Sequence, residues 1–503
     1  MPNSAEGSLL FSPDGKKLAF SASIEGKRGW YTVEFPAELT PKLLSSTTGA
    51  RAVWTEKAGG LLFSPSGTPA KLDTSGKLES YAVSISQESS RSGWLRAGFD
   101  KAWQTMRDTW YDERLANRNW DEIRRKYLPV ASELRSVEAL GDVVELMLGE
   151  LNGSHLGFTP ASIARANSIE GWRDETAHLG VRFVESHKGP GLLVRDIVPG
   201  SPADREKSKM QSGDTILSID GHPVDPSIDL TTILNGPMDR DIDVRITRSM
   251  EVDGKAIEAK ELQFVVRPIS YGQARALLYD RWLESNRATV DKASGGKLGY
   301  LHIRAMDIGS FYDFERQLYN VGYGREGLVI DVRDNGGGST ADLLLTALTQ
   351  PKHAITVPRG GSQGYPHDRI VYASWSKPII VLCNQNSYSN AEIFSHAVKT
   401  LKRGKVVGVQ TAGGVVSTGS AGVNDVGRLR TPFRGWFLPD NGQDMELNGC
   451  VPDSIVWPQP TELPMGIDRQ LDKAVELLLL EVGQGAPATE LIYAAQRDAK
   501  KPK

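Results

Sequence analysis

The chain has 503 residues, 39% hydrophobic and 24% charged, which is enough for about three or four domains with their own cores. The net charge of −3 is spread in both signs along the chain, so we expect no binding to nucleic acid or to a membrane surface. No apolar run reaches the roughly 18 residues of a transmembrane helix. Cys383 and Cys450 form neither a disulfide framework nor a metal-binding spacing.

The amino-terminal region contains a near repeat. LLFSPDGKKLAF at residues 9–20 and LLFSPSG at residues 61–67 each place Pro and Gly in a turn between strand-like stretches. Their spacing is close to the length of one β-propeller blade, so residues 1–88 are predicted to be a propeller remnant. A small β-meander is the alternative. No signal peptide is visible at the apparently truncated amino terminus, and we expect a cytoplasmic location.

Residues 89–175 are predicted to be a helical domain. Apolar side chains repeat at helical spacing from Leu95 to Trp110. A second helix is predicted at SVEALGDVVELMLGEL, residues 136–151, where a serine supplies the cap. We interpret both apolar stripes as core. The second helix is followed by NGSHLGF at residues 152–158.

Residues 176–268 resemble a PDZ domain. LGVRF, LLVRDIVPGSPAD and GDTILSIDGHPV follow one another as its loop, strands and turns would. The resemblance implies that Leu179, Gly180 and Val181 form a carboxylate-binding loop beside a groove that takes an extended peptide as an added strand. The alternative is a purely architectural domain whose groove is covered.

Residues 269–485 are predicted to be an α/β domain. Apolar runs in KLGYLHI, GLVIDVRDNGGG, KPIIVLCN and KVVGV read as buried strands, and helical patterns lie between them. This alternation indicates a mainly parallel sheet. The fold class is therefore multidomain α+β and α/β: a propeller remnant, a helical domain, a PDZ domain and an α/β sandwich, with a frayed tail at 486–503.

One serine in this domain stands at a chemically favourable place. Ser389 follows a buried strand and precedes Glu392 and an apolar helical pattern, so a capping box is the simplest interpretation. A serine on a strand-to-helix turn is also exposed at the carboxyl end of the sheet, next to unpaired helix N–H groups. The sequence leaves open at this point whether Ser389 is a structural cap or a nucleophile. Glu392 is expected to remain a cap.

A serine nucleophile needs a base and an oxyanion hole. Of the eight histidines, His155 in GSHLG is the best placed, since it has a small polar neighbour and lies between two glycines. His396 is too far along the helix of the serine to touch the hydroxyl. Three glycines in DVRDNGGGS allow close approach of backbone to a ligand, and the N–H of Asn390 supplies a second donor.

Taken in order, GSH, the PDZ pattern, IDVRDNGGG, YSNAEIF and ELNGCVPD resemble the tricorn protease family over nearly the whole chain. The resemblance implies a serine peptidase with a Ser-His-Ser-Glu tetrad. Ser389 matches the nucleophile, His155 the general base, Ser154 the serine beside it and Glu446 the glutamate. Ser154 and Glu446 are expected to orient the base side and the nucleophile side of the tetrad. The resemblance further implies peptide substrates, a homo-oligomer that is commonly a hexamer, and no cofactor or metal.

The resemblance also assigns the oxyanion loop. Gly338 is favoured over Gly337, and Asn390 is the partner donor where the family archetype has Asp. Leu447 and Cys450 depart from the pattern of the family around the glutamate, so the packing of this loop is open. Thr356, before VPRGG, stands where the archetype has an acidic specificity residue, so basic, small and neutral side chains all stay open at the cleavage position.

Two alternatives compete with this interpretation. Carboxyl-terminal processing peptidases share the PDZ domain and sheet but use a Ser-Lys dyad, and Gly414 in TAGG occupies the position of that lysine. The dyad base is therefore missing. The second alternative is a peptide-binding PDZ protein with a silent site, which the four filled tetrad positions disfavour.

Overall fold

The fold was analysed on a computed structural model that describes residues 4–5, 9–84, 90–161, 175–252, 255–351, 354–357, 359, 373–483 and 490–492. The chain divides into two units, residues 1–90 and residues 91–503.

The first unit consists of two antiparallel sheets. Trp30, Leu61, Phe63 and Leu72 form its buried core. The first sheet contains β1 (Ser4–Ala5), β2 (Leu10–Phe11), β3 (Lys17–Ile24), β4 (Lys27–Glu34) and β5 (Glu38–Ser45), and the second contains β6 (Ala50–Trp54), β7 (Gly60–Ser64), β8 (Ala70–Asp73) and β9 (Leu78–Ser80). The two repeats lie at β2 with its turn and at β7 with its turn, one in each sheet. Their assignment to a propeller stays a prediction.

The second unit begins with three helices, Arg91–Thr109, Trp120–Glu133 and Val137–Gly149. The predicted apolar stripe is buried, and the Ser136 hydroxyl accepts a hydrogen bond from the N–H of Ala139, as the predicted cap requires. The helices do not close their core alone. β10 (Gly157–Pro160) pairs with a hairpin from residues 417–434, whose apolar side chains complete that core. The sequence did not predict this sharing between the helical and α/β segments.

The PDZ segment is an antiparallel sheet with order β12-β13-β14-β17-β18, so β12 lies at an edge. Its core contains Val194, Ile216 and Val244. The strands are β11 (Glu175–His178), β12 (Val181–Phe183), β13 (Leu192–Ile197), β14 (Thr215–Ile219), β15 (His222–Pro223), β16 (Asn235–Gly236), β17 (Ile242–Val252), β18 (Lys255–Val266) and β19 (Ile269–Ser270), with a short helix at Thr231–Leu234.

The α/β segment contains the predicted parallel sheet. β20 (Leu298–His302), β21 (Gly327–Asp331), β22 (Ile379–Cys383), β23 (Lys405–Gly408) and β26 (Ser454–Ile455) pair in this order, all parallel, and β24 (Ser417–Val423) and β25 (Gly427–Arg434) form the hairpin. Every residue of β20, β21 and β22 is buried, because helices cover both faces. One face packs against Ile308–Asn320, Ala341–Leu348 and Asn390–Thr400, and the other packs against Tyr271–Ser294 and Arg469–Gly483.

Candidate active site

Ser389 occupies the turn between β22 and the helix Asn390–Thr400. Its backbone has φ of 56° and ψ of −116°, a sparsely populated conformation for a residue with a side chain. The N–H of Ser389 donates to Oε1 of Glu392 at 2.9 Å, which holds the turn. Its Oγ lies 3.1 Å from Nε2 of His155. The cap and the nucleophile geometry therefore coexist, because the cap uses the backbone of Ser389 and leaves its hydroxyl to the histidine.

His155 lies on the loop between the helix Val137–Gly149 and β10. It too has a left-handed backbone, with φ of 59°, and the side chain is buried. A Cβ on Gly153 would overlap the ring of Trp110, so the tight approach of this loop to the helices depends on that glycine. The loop carries the imidazole to a serine that is 234 residues away in sequence.

Ser154 and Glu446 complete a hydrogen-bonded relay behind the imidazole. Ser154 Oγ lies 2.7 Å from Nδ1 of His155 and donates to Oε2 of Glu446 at 3.1 Å. Because backbone N–H groups donate to both oxygens of Glu446, this side chain acts as an acceptor. The single hydroxyl hydrogen of Ser154 therefore goes to Glu446, and the serine oxygen accepts the N–H of Nδ1. This network assigns the tautomer in which Nε2 is unprotonated and faces Ser389.

Glu446 is a buried carboxylate with four donors around it. The N–H of Ser154 donates to Oε1 at 2.5 Å, and the N–H groups of Val415 and Val416 donate to Oε2 at 2.9 and 3.3 Å. Glu446 thus contacts the base side only. The expectation that Ser154 and Glu446 divide between the base side and the nucleophile side is wrong, because both lie behind Nδ1.

The two departures in the glutamate loop are accommodated without disturbing the carboxylate. Leu447 adopts φ of 63° and its side chain is exposed, so it does not have to pack in the core. Cys450 is fully buried, and its N–H donates to Oγ1 of Thr411 at 2.8 Å.

The environment of His155 keeps the base neutral. Burial, helped by the positive charge of Arg430, lowers the pKa of the imidazole to about 4. An imidazole with this pKa is unprotonated at neutral pH. It is therefore able to accept the proton of a serine hydroxyl.

The glycine loop lies against the nucleophile turn. A Cβ on Gly337 would come within 2.7 Å of Cβ of Ser389. The N–H of Gly337 already donates to Oδ1 of Asn335 at 2.9 Å. Within the described residues, the N–H groups of Gly338 and Asn390 have no hydrogen-bond acceptor. This pattern favours Gly338 over Gly337 as an oxyanion donor.

The side chain of Asn390 has a separate structural use. Its Oδ1 accepts a hydrogen bond at 2.7 Å from the N–H of Ala341, the first residue of the helix Ala341–Leu348. The backbone N–H of Asn390 thus remains available while its amide caps a neighbouring helix.

Tyr388 is a residue at the site that sequence reasoning missed. The ring of Tyr388 stacks on His155 with centroids 4.9 Å apart and planes 20° apart, and its hydroxyl lies 3.3 Å from Nδ1. A Cβ on Gly414 would overlap the Tyr388 ring. Gly414 therefore leaves room for the tyrosine at the position where the processing peptidases carry their lysine, and that substitution was the only signal in the sequence.

Glu392 does more than cap its helix. Its carboxylate is fully buried and accepts hydrogen bonds from the hydroxyl of Thr411 and the N–H groups of Gly413 and Gly414, at 2.5, 2.5 and 2.9 Å. Together with the bond from Ser389, these contacts tie the TAGG loop to the nucleophile turn.

Other predicted features lie outside this cluster. Leu179, Gly180 and Val181 line or adjoin a groove of about 740 Å³ beside β12. Thr356 is described, but most of the following VPRGG segment, residues 358 and 360–361, lies outside the described residues. In the described parts of the chain, no group of three or more His, Cys, Asp or Glu side chains could hold a metal ion. None of the helices described is both long and apolar enough to cross a membrane.

Comparison with known proteins places these features in context. Residues 297–456 match the model of Peptidase family S41, residues 96–149 the Tricorn protease C1 domain, and residues 177–260 a PDZ domain. Tricorn protease homolog 1 of Streptomyces coelicolor is 30% identical over 394 residues, which are 76% of this chain and 35% of that protein. The chloroplastic C-terminal processing peptidase of Tetradesmus obliquus is 23% identical over 386 residues, which are 73% of this chain and 78% of that protein.

A comparison with solved structures also finds a tricorn protease. A crystal structure of the tricorn protease matches with a TM-score of 0.67 and 21% identity, over 93% of this chain and 46% of that one. At this identity the likeness shows the fold alone. The chain spans about a third of the length of the tricorn relative from Streptomyces coelicolor.

Proposed function

From the premise that this chain belongs to the tricorn proteases of the S41 peptidase family, we propose that it hydrolyses peptide bonds by the tetrad Ser389, His155, Ser154 and Glu446. The observation that carries the proposal is the unbroken relay from Glu446 through Ser154 to Nδ1 of His155, with Nε2 3.1 Å from Ser389 Oγ. Nucleophile, base and orienting groups stand in the order that acyl transfer requires.

The proposed reaction proceeds through an acyl-enzyme. Ser389 Oγ attacks the carbonyl carbon while its proton moves to Nε2 of His155. The N–H groups of Gly338 and Asn390 hold the resulting oxyanion. The intermediate collapses, the C–N bond breaks, and His155 gives its proton to the leaving amine. Water then attacks the ester with the same base, releasing the acid product and restoring the serine hydroxyl.

Ser154 and Glu446 act through the histidine. When Nε2 gains a proton, the imidazolium carries a positive charge in a site where burial disfavours it. The hydrogen bond from Nδ1–H to Ser154, which is polarised by the Glu446 carboxylate, offsets part of this cost. The stacked face of Tyr388 offers the imidazolium a further attraction.

Substrate class, assembly and location are parts of the same proposal that follow from the family. We expect peptides or unfolded polypeptides as substrates, a homo-oligomer that is commonly a hexamer, and a cytoplasmic location. Basic, small and neutral side chains all stay open at the cleavage position, because Thr356 is uncharged where the family archetype is acidic. The propeller remnant and a crotonase-like description of the catalytic sandwich are likewise proposals.

The processing-peptidase mechanism is the second candidate, supported by the likeness to a C-terminal processing peptidase. It requires a lysine beside the nucleophile. Gly414 stands at that position and the ring of Tyr388 fills the adjoining space, so this candidate has no base. A catalytically silent PDZ protein is the third candidate, and the complete relay argues against it.

The test is hydrolysis of a mixed peptide pool, with fluorophosphonate labelling located by mass spectrometry. The wild-type chain is compared with Ser389→Ala, His155→Ala and the matched control His396→Ala, whose half-buried imidazole contacts Thr400 instead. We expect label on Ser389, and hydrolysis only in the wild type and the control. Hydrolysis that survives in Ser389→Ala would reject the nucleophile, and a folded wild type with neither cleavage nor label would favour the binding protein.

A further inference from the structure

The PDZ groove has an open strand edge. Among the strands of the described residues, β12 pairs with β13 alone, on one side. Val181 lies opposite Ile197, and the adjacent hydrogen bond runs from the N–H of Val198 to the carbonyl of Gly180 at 2.8 Å. In this antiparallel register the N–H and C=O of Val181 point away from β13. The groove therefore presents backbone donors and acceptors to an added strand.

The walls of the groove are mostly apolar. Leu179, Val181 and Phe183 from the β12 segment, together with Ile219 and Leu234, line a volume of about 740 Å³. An extended peptide places alternate side chains on one face. Apolar side chains at alternate positions therefore fit this groove, while the backbone of the peptide pairs with β12.

One N–H of the loop that would hold a terminal carboxylate, that of Gly180, is already engaged. The N–H of Gly180 donates at 2.9 Å to Nδ1 of His178, one of the residues that line the groove. The ring of His178 is held edge-on against Tyr271, with centroids 5.0 Å apart. Burial, helped by the charge of Arg182, lowers the pKa of His178, so the imidazole is neutral and able to accept this bond at neutral pH. A carboxylate would have to displace the imidazole to gain the Gly180 N–H.

The charges around the groove also disfavour the binding of a terminal carboxylate. Its two arginines, Arg182 and Arg195, both pair with Asp196, at 2.6 and 2.9 Å. Three carboxylates also line the groove, from Glu175, Glu185 and Asp229. The groove thus offers a terminal carboxylate no unpaired cation.

We infer that this PDZ groove binds an extended apolar segment from the interior of a polypeptide, rather than a free carboxyl terminus. His178 is the residue that sets this selectivity, because it occupies the Gly180 N–H. The chain of the bound segment continues past His178, and its uncharged peptide groups meet the carboxylates without repulsion. This inference concerns binding and does not depend on the proposed catalytic tetrad.

The test uses the full chain with Ser389→Ala, which prevents turnover in every arm. The probe is a pool of random decapeptides with apolar residues at alternate positions, prepared with free-acid and with amidated termini. Retained peptides are identified by mass spectrometry, and their dissociation constants are measured by fluorescence anisotropy at pH 7.5. We expect the two forms to bind within about threefold of each other, and Leu234→Lys to weaken both by at least about tenfold.

His178 is tested by two substitutions. His178→Ala frees the Gly180 N–H, and we expect the free acid to become at least about fivefold tighter than the amide, since one charge-assisted hydrogen bond is gained. His178→Gln can still accept that N–H and should retain the ratio of the parent. A tenfold preference of the parent for free acids, no binding of either form, or binding unaffected by Leu234→Lys would each overturn the inference. An unchanged ratio in folded His178→Ala would overturn the role of His178.

Discussion

Glu446→Gln is the sharpest test of the relay, because it changes one oxygen to an amide nitrogen and keeps the size of the side chain. The two carboxylate oxygens accept hydrogen bonds from Ser154, Val415 and Val416. An amide group placed at Oε1 opposes the N–H of Ser154. Placed at Oε2, it opposes the other N–H groups and donates to the Ser154 hydroxyl. Either placement leaves a buried donor facing a donor, which costs about 1–3 kcal/mol.

The second placement also reverses the relay. The Ser154 hydroxyl would then donate to Nδ1, which moves the histidine proton to Nε2 and removes the base. Both placements also remove the negative charge that polarises Ser154 and stabilises the imidazolium. We therefore expect kcat/KM to fall by about 10²–10⁴, equivalent to about 2.7–5.4 kcal/mol of transition-state stabilisation. The assay is hydrolysis of the best peptide from the pool, together with the rate of fluorophosphonate labelling at Ser389. Glu145→Gln, at an exposed glutamate, is the matched control.

We also expect the losses of activity caused by substitutions at Glu446 and Ser154 to be non-additive. If Glu446 acts through Ser154, then Glu446→Gln should cost little further activity in a Ser154→Ala background, as groups that act as one unit show. Thermal unfolding of each variant separates loss of fold from loss of chemistry. Activity of folded Glu446→Gln within about threefold of the wild type would refute the assigned tautomer and the relay.

Three further outcomes follow from the site. Since the pKa of His155 is lowered to about 4, kcat/KM should fall on acidification only near that pH. Arg430→Gln removes a nearby positive charge and should move this acidic limb of the pH profile to higher pH. An acidic limb of the wild type at the ordinary pKa of histidine would contradict the assignment of His155 as the base. Gly414→Ala should lower the free energy of unfolding by about 1–3 kcal/mol and reduce turnover, because the added methyl group overlaps the ring of Tyr388. Tyr388→Phe should keep the stacked ring and most of the activity. Equal losses of activity in the two variants would count against a role for the stacking. Asn390→Ala should cost about 1 kcal/mol of stability in chemical denaturation, by loss of a helix cap, and leave kcat nearly unchanged, because its N–H remains; a collapse of kcat in the folded variant would assign chemistry to the side chain.

The parallel sheet could be predicted because its strands are continuous apolar runs that helices cover on both faces. The four residues of the proposed tetrad could be named from the sequence because each lies in a short motif, and the order of these motifs matches one family. Ser389 remained ambiguous from local sequence, since S-x-x-E serves equally as a cap. The structure shows that one turn provides both features, with Glu392 on the backbone N–H and His155 on the hydroxyl.

The features that could not be predicted depend on contacts between segments that are distant in the sequence. The hairpin of β24 and β25 closes the helical core, yet STGSAGV contains mostly small residues and gives a weak strand pattern. Tyr388 stacks on His155 only because Gly414 leaves space, and no local pattern links these three positions. The fourfold engagement of Glu392 likewise becomes visible only when the TAGG loop folds back onto the nucleophile turn.

The ends of the PDZ segment meet. Ala177 pairs with Ser270, and His178 pairs with Ile269, so the first and last strands of the segment are direct neighbours. Their Cα atoms are about 5 Å apart, as in any antiparallel pair. The PDZ segment is thus inserted between the residues proposed as base and nucleophile through two adjacent strands. Exchange for another domain with adjoining termini would leave the connection to the parallel sheet in place, so the polypeptides that this segment is proposed to bind could change without any change in the proposed tetrad.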